Sequence, residues 1–350
     1  MNQVKSLMMG GRVLGPNHPP IMIAEEGQAN QGSYNIALQM CDKAKEADAD
    51  GIEFQFFLAD DMYTRNDNGH RIYKERELAF EQMRLIIEYA KSLGLLVQIA
   101  GLSPKVIQFC GSVGVDSFCI NATDLNNPQI LDAVVDTGSV FWIATLMATL
   151  AEIDECVNYL HRKNSINFGL LHGQHVMSTN SSKGVPANLL QLDCIQMLED
   201  RYNKIIGFVD HSVSSISPAL AVAKGARLVT KHLSPWEGWI GPDSDICMPP
   251  DCWREAKRLF DFAYISGGMS KELSLDELSD RNAHRRSLYT KHELRSGHSL
   301  CEDDIVALRP FHPESRADIL PSVIGKKILH SLPAQALITP LLLSSDSVEV

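Results

Sequence analysis

Short apolar runs alternate with longer amphipathic stretches over most of the first 234 residues. Eight of these runs read as strands, at 21–27, 50–57, 96–101, 117–124, 139–146, 167–175, 204–212 and 227–234, each closing on polar or small residues. The stretches between them carry helical spacing. Ile36, Ala37, Met40, Cys41, Ala44 and Ala47 fall on one face of the first. The next runs over about 75–93 and stops at Gly94, a C-terminal cap.

Eight strand–helix units in about 240 residues match the size of a (β/α)8 TIM barrel. A doubly wound open sheet is the structural rival, but the eight repeats and the lack of a glycine-rich phosphate fingerprint weigh against it. Barrel enzymes collect their chemistry at the C-terminal ends of the strands. Those ends here offer Glu25, Glu53 with Gln55, Cys119 with Asn121, His175, His211 and His232. In a closed barrel the eighth strand pairs with the first, which sets Glu25 beside His232 as ligand, second-layer partner or base. His211 and His232 end consecutive strands, and such strands lie about 4.8 Å apart. One strand-end histidine is most simply a satisfied hydrogen-bonding group. A matched pair points to a shared metal ion, and imidazole suits zinc, manganese, iron or nickel.

The loop 58–74 is long and polar, in the position of a lid. Beyond a helical stretch and an acidic connector, short β-type segments appear at 286–290, 304–308 and 328–331. The expected division is therefore a barrel over 1–280 and a small unit over 285–345, with a frayed tail at 344–350.

Composition narrows the function. A net charge of −11 argues against nucleic-acid or anionic-membrane partners, which favour basic faces. No apolar run reaches the length of about 18 residues needed to span a membrane, and the N-terminus lacks signal-peptide character. The eight cysteines are scattered without C-x-x-C spacing, as expected of reduced thiols in the cytoplasm.

An ordered set of segments resembles the sialic acid synthase family, which includes N-acetylneuraminate, legionaminate and pseudaminate synthases. It comprises Ile23-Ala-Glu-Glu-Gly27, Asn30-Gln-Gly32, Phe54-Gln-Phe56, Met147-Ala-Thr-Leu-Ala-Glu-Ile153, Asp210-His211, Lys231-His232 and Gly241-Pro-Asp243. The terminal unit resembles the family's antifreeze-protein-like (SAF, β-clip) domain through Arg285-Arg-Ser-Leu288, Lys291-His-Glu-Leu-Arg-Ser-Gly297, Glu302-Asp-Asp-Ile305, Arg309-Pro310 and Val323-Ile-Gly-Lys-Lys327. The resemblance implies a metal-dependent condensation of phosphoenolpyruvate with an open-chain amino sugar, giving a nonulosonic acid. It implies a divalent metal on His211 and His232, commonly manganese, with magnesium, zinc, iron or cobalt as alternatives, and Glu25 beside it. It also implies sugar contacts from Gln55 and Asp243, with Asn121 and His175 on the same substrate-binding face. Arg309 is implied to reach the partner's site in a domain-swapped homodimer.

The phosphoenolpyruvate half departs from the family pattern. Glu53 and Cys119 stand where the family carries lysines, and Ala144-Thr-Leu-Met-Ala-Thr149 lacks a serine and a glycine. Val209 replaces a serine, and the stretch 173–178 lacks a tyrosine. A trianionic donor needs cations and hydrogen-bond donors aimed at it. Lys183, Arg65 and Arg71 are the loop cations available to supply them, and Glu53 is a candidate new acid or base. The readings are a synthase with a rebuilt donor site, a metal-dependent lyase, isomerase or hydrolase that has left phosphoenolpyruvate behind, and a non-catalytic relative.

Overall fold

The computed structural model describes residues 6–176, 183–268 and 270–345. The chain divides into two compact units, residues 1–268 and 269–350. The first opens with an antiparallel hairpin, β1 (Leu7–Met9) and β2 (Arg12–Leu14). Eight parallel strands follow: β3 (Ile21–Gly27), β4 (Gly51–Phe56), β5 (Leu96–Gly101), β6 (Ser117–Ile120), β7 (Phe141–Ala144), β8 (Phe168–Gly173), β9 (Ile206–Asp210) and β10 (Leu228–His232). They close in sequence order, with β10 hydrogen-bonded to β3, so the molecule contains a (β/α)8 barrel. Each of the eight segments read as a strand is one of these staves.

The two-residue period sorts side chains to the two faces of the barrel wall. Met22, Ala24, Ile52, Phe54, Val97 and Ile99 belong to the outer core beneath the helices. Ile21, Ile23, Leu96, Trp142, Leu171 and Leu228 fill the interior. Leu7, Met9 and Leu14 of the hairpin join that interior cluster alongside Ile21, Leu96 and Leu228, which sit at strand starts. The hairpin is thus a plug at the N-terminal end of the barrel. Trp142 is the largest interior residue, and its register partner on β8 is Gly169. A Cβ there would lie 2.4 Å from the indole ring, so only glycine fits.

Helix ends follow local rules. Ser33 caps Tyr34–Glu46 by accepting from the Ile36 amide, and Thr149 with Glu152 forms a capping box on Leu150–Arg162. The amphipathic stretch expected over 75–93 is not one helix. It is split between Asn68–Arg76 and Phe80–Ser92, because Glu77 leaves helical geometry and its carboxylate accepts the Ala59 amide at 2.5 Å. The segment expected as an irregular loop over 58–74 is largely helical, Ala59–Met62 and Asn68–Arg76. Tyr73 packs on Phe57 and Tyr63, with ring centroids 4.9 and 5.0 Å apart.

The second unit has its own core of Leu288, Leu294, Leu300, Ile305, Val323, Ile328 and Ile338. Its antiparallel pair is β11 (Ser287–Thr290) and β12 (Ile305–Leu308), and Ile328 makes an isolated bridge to Leu343. Of the tail expected to fray, residues 346–350 lie outside the described residues.

Candidate active site

The C-terminal ends of the staves surround a cavity of about 60 Å3. Glu25, Glu53, Gln55, Asn121, His175, His211, His232 and Asp243 all line it. Arg309 belongs to the second unit, where its Nε donates to the His284 carbonyl at 2.7 Å.

Register explains the metal-type cluster. His232 pairs with Glu25 across the β10–β3 seam, and the Glu25 Oε2 lies 3.4 Å from His232 Nε2. The His211 and His232 ring centroids are 5.3 Å apart. Ligand atoms of Glu25, His211 and His232 all lie within 4.8 Å of one another. His211 Nδ1 donates to the Gln174 carbonyl at 3.1 Å, which leaves the Nε2 lone pair free to bind. Burial, foremost, holds both imidazoles in the neutral form that metals require: His211 is pushed well below its ordinary range and His232 to about 4. His232 Nδ1 is buried and has no hydrogen-bond partner. Two neutral imidazoles and a carboxyl with ligand atoms this close together fit a divalent ion. His175 stands edge-on to His211 at 5.6 Å and lines the cavity beside this cluster.

The carboxyls are set apart by their surroundings. Glu25 is pushed up to about 7, by burial first and by Asp243 second. Its Oε1 accepts from Gln55 Nε2 at 3.2 Å, and Gln55 in turn accepts from Gln28 at 3.4 Å. The ladder slips between Glu25 and Gly27, and this irregularity turns Glu26 aside to accept the Asn30 amide. Burial pushes Glu26 up to about 8. Asp243 occupies the left-handed turn of Gly241-Pro-Asp243 with φ +61°, a conformation aspartate tolerates. Asn121 caps the following turn through the Thr123 amide at 3.2 Å.

Glu53 heads a buried chain whose other members, Gln98 and Ser117, sequence reading missed. Ser117 Oγ donates to Gln98 Oε1 at 2.7 Å, so the Gln98 amide nitrogen is turned onto Glu53 and donates to it. Burial and then Glu25 push Glu53 up to about 8. Cys119 is buried beside it, its thiol raised well above its ordinary range by burial, so it is a poor nucleophile. A second missed feature is the fully buried Lys231–Asp210 pair behind the two histidines. Lys231 Nζ donates to Asp210 at 2.8 Å and to the Ser212 carbonyl at 2.7 Å, tying the ends of β9 and β10 together. Both signals lay in outward or mid-strand positions that only the register brings into contact.

The loop cations singled out in the sequence are each engaged by an acid. Lys183 pairs with Asp245 at 2.8 Å, Arg65 with Asp60 at 3.3 Å, and Arg71 with Glu75 at 3.4 Å. All eight cysteines carry free thiols. Among the described residues no helix is long and apolar enough to cross a membrane.

Fold and site together define a (β/α)8 barrel with Glu25, His211 and His232 grouped at its mouth, close enough together that they could hold a metal ion. Residues 40–264 match the NeuB family, and the chain belongs to that family of sialic acid synthases. It is 26% identical to N,N'-diacetyllegionaminic acid synthase of Legionella pneumophila, over 89% of this chain and 91% of that one. Human N-acetylneuraminate-9-phosphate synthase is 25% identical over 91% of each chain. The crystal structure of N-acetylneuraminic acid synthetase from Leptospira borgpetersenii in complex with citrate superposes with a TM-score of 0.70 at 27% identity, covering 80% of this chain and 97% of that one. The chain is accordingly an enzyme of the synthase type, a transferase by family.

Proposed function

We propose that this enzyme forms a carbon–carbon bond at the aldehyde of a polyhydroxylated, amino-sugar-type substrate, in nonulosonic-acid-type biosynthesis. The observation that carries the reading is the approach of Glu25, His211 and His232 ligand atoms to within 4.8 Å, with His232 Nδ1 buried and unpartnered. A divalent ion held there, manganese first and magnesium, zinc, iron or cobalt as alternatives, supplies Lewis acidity toward a carbonyl oxygen. Glu25 would then be held ionised by the ion, and the neighbouring Glu53, pushed up to about 8 by burial, suits a group that gives and takes a proton near neutral pH. Gln55, Asn121, His175 and Asp243 offer donors and acceptors for sugar hydroxyl and amide groups. The second unit acts as a SAF domain whose Arg309 serves the partner's site in a domain-swapped homodimer, and the enzyme works in the cytoplasm. The names of the legionaminic acid and N-acetylneuraminate-9-phosphate synthases support a nonulosonic-acid product.

The same metal half also serves a lyase, isomerase or hydrolase. Glu53 and Cys119 in place of cations favour that second reading where phosphoenolpyruvate is concerned. The test supplies manganese-loaded protein with 2-acetamidohexoses and three-carbon donors (phosphoenolpyruvate, pyruvate, dihydroxyacetone) and looks by mass spectrometry for sugars extended by three carbons. Metal-dependent extension, lost in His211→Ala, is expected. Metal-dependent consumption of a sugar without any extension would move the assignment to the second reading.

A further inference from the structure

We infer that the part of the cavity walled by Glu53, Cys119, Ala144, Leu146 and Val209 accepts an uncharged hydrogen-bonding group, such as a ketone or hydroxyl, and rejects a phosphate. This inference rests on the metal-site reading above and names the class of its second substrate.

Charge is the first argument. Three carboxyls, Glu25, Glu53 and Asp243, line the cavity, and no lysine or arginine does so among the described residues. The undescribed segment 177–182 contains no lysine or arginine in its sequence. Lys231, next to His232 on β10, is fully buried on the outer side of the wall and committed to Asp210 and Ser212. Lys183, Arg65 and Arg71 do not line the cavity, and each lies beside an acid, Asp245, Asp60 and Glu75 respectively. The residues lining the cavity thus meet an incoming group with carboxyls and with no lysine or arginine. A phosphate brought against this wall loses its water and gains no lysine or arginine of the wall itself to replace it.

Architecture is the second argument. Glu53 is fixed by an oriented chain, Ser117 to Gln98 to Glu53, buried throughout. That chain gives the carboxyl a defined position at the cavity wall, as a group used for hydrogen bonding requires. Around it the wall is small and apolar: Ala144, Val209 and a neutral Cys119 thiol. Such a surface suits a compact group that accepts or donates one hydrogen bond. Glu26, by contrast, is buried but bonded away to the Asn30 amide and does not line the cavity.

The experiment is calorimetric titration of the full chain with phosphoenolpyruvate and with dihydroxyacetone, each with manganese and with chelator. Wild type is compared with Glu53→Lys and Glu53→Gln. The expected result is at least tenfold weaker phosphoenolpyruvate binding by wild type than by Glu53→Lys, with manganese affinity unchanged. In chelated titrations at pH 9, above the value of about 8 to which Glu53 is pushed, Glu53→Gln keeps the size, removes the charge and should gain severalfold for phosphoenolpyruvate while keeping its affinity for dihydroxyacetone. Phosphoenolpyruvate binding by wild type as tight as by either variant overturns the inference. Should Glu53→Lys fail to fold, the Glu53→Gln comparison decides alone. A parallel manganese titration reads the metal site independently: its failure sinks the metal reading, whereas the chelated titrations still decide the charge preference.

Discussion

Glu26 shows how one buried group leaves a trace in stability. Its folded value of about 8 lies above the ordinary carboxylate range. As pH rises past 4.5 the unfolded chain releases this proton first, so the native state binds more protons and stability falls until pH passes about 8. The loss approaches, at most, about 1.4 kcal/mol per pH unit within that window. Glu26→Gln should flatten the slope of the urea midpoint between pH 5 and 8 in chelated protein; an unchanged slope would show that Glu26 ionises normally. Lys231 gives a second prediction. Lys231→Met leaves Asp210 buried and unpaired, which typically costs about 3–5 kcal/mol, read from urea unfolding. The additional substitution Asp210→Leu should recover much of it, and failure to recover would mean the pair matters chiefly for packing. His211 and His232 were placed from sequence because strand periodicity alone puts them at the mouth. The Ser117–Gln98–Glu53 chain was not, since its members are distant in sequence and meet only through the β4–β5–β6 register.

At the scale of elements, the barrel staves were legible because each is buried along its length and stands out as an apolar run bounded by polar residues. The N-terminal hairpin was not, because two three-residue strands are too short for a periodic signal. The break between Asn68–Arg76 and Phe80–Ser92 was hidden for a different reason. The contact of Glu77 with the Ala59 amide is tertiary, and it overrides a helical pattern that continues through it. The plug and the interior make a packing prediction. Gly169→Ala drives a methyl into Trp142 and should cost about 1–3 kcal/mol, with part returned by the double substitution Gly169→Ala/Trp142→Leu. A neutral Gly169→Ala in chemical denaturation would mean the indole can move aside.

For the whole molecule, membership of the sialic acid synthase family coexists with a cavity wall that carries Glu53 and Cys119. Fold membership fixes the barrel and the position of the mouth, while chemistry is decided by the groups that line it. Glu25, His211 and His232 lie close enough together to hold a metal ion, and the neighbouring wall carries Glu53 and Cys119. The metal centre is the claim on which both functional readings depend. Its most direct test is titration of manganese into chelator-treated protein at two pH values above 6, for wild type and His211→Ala/His232→Ala. One ion per chain should bind wild type and release none from the imidazoles, which are already neutral, and at most about the one proton that Glu25, pushed up to about 7, still holds at the lower pH; the double variant should lose at least a hundredfold in affinity. Equal binding by the double variant would contradict the assignment of the ion to these histidines.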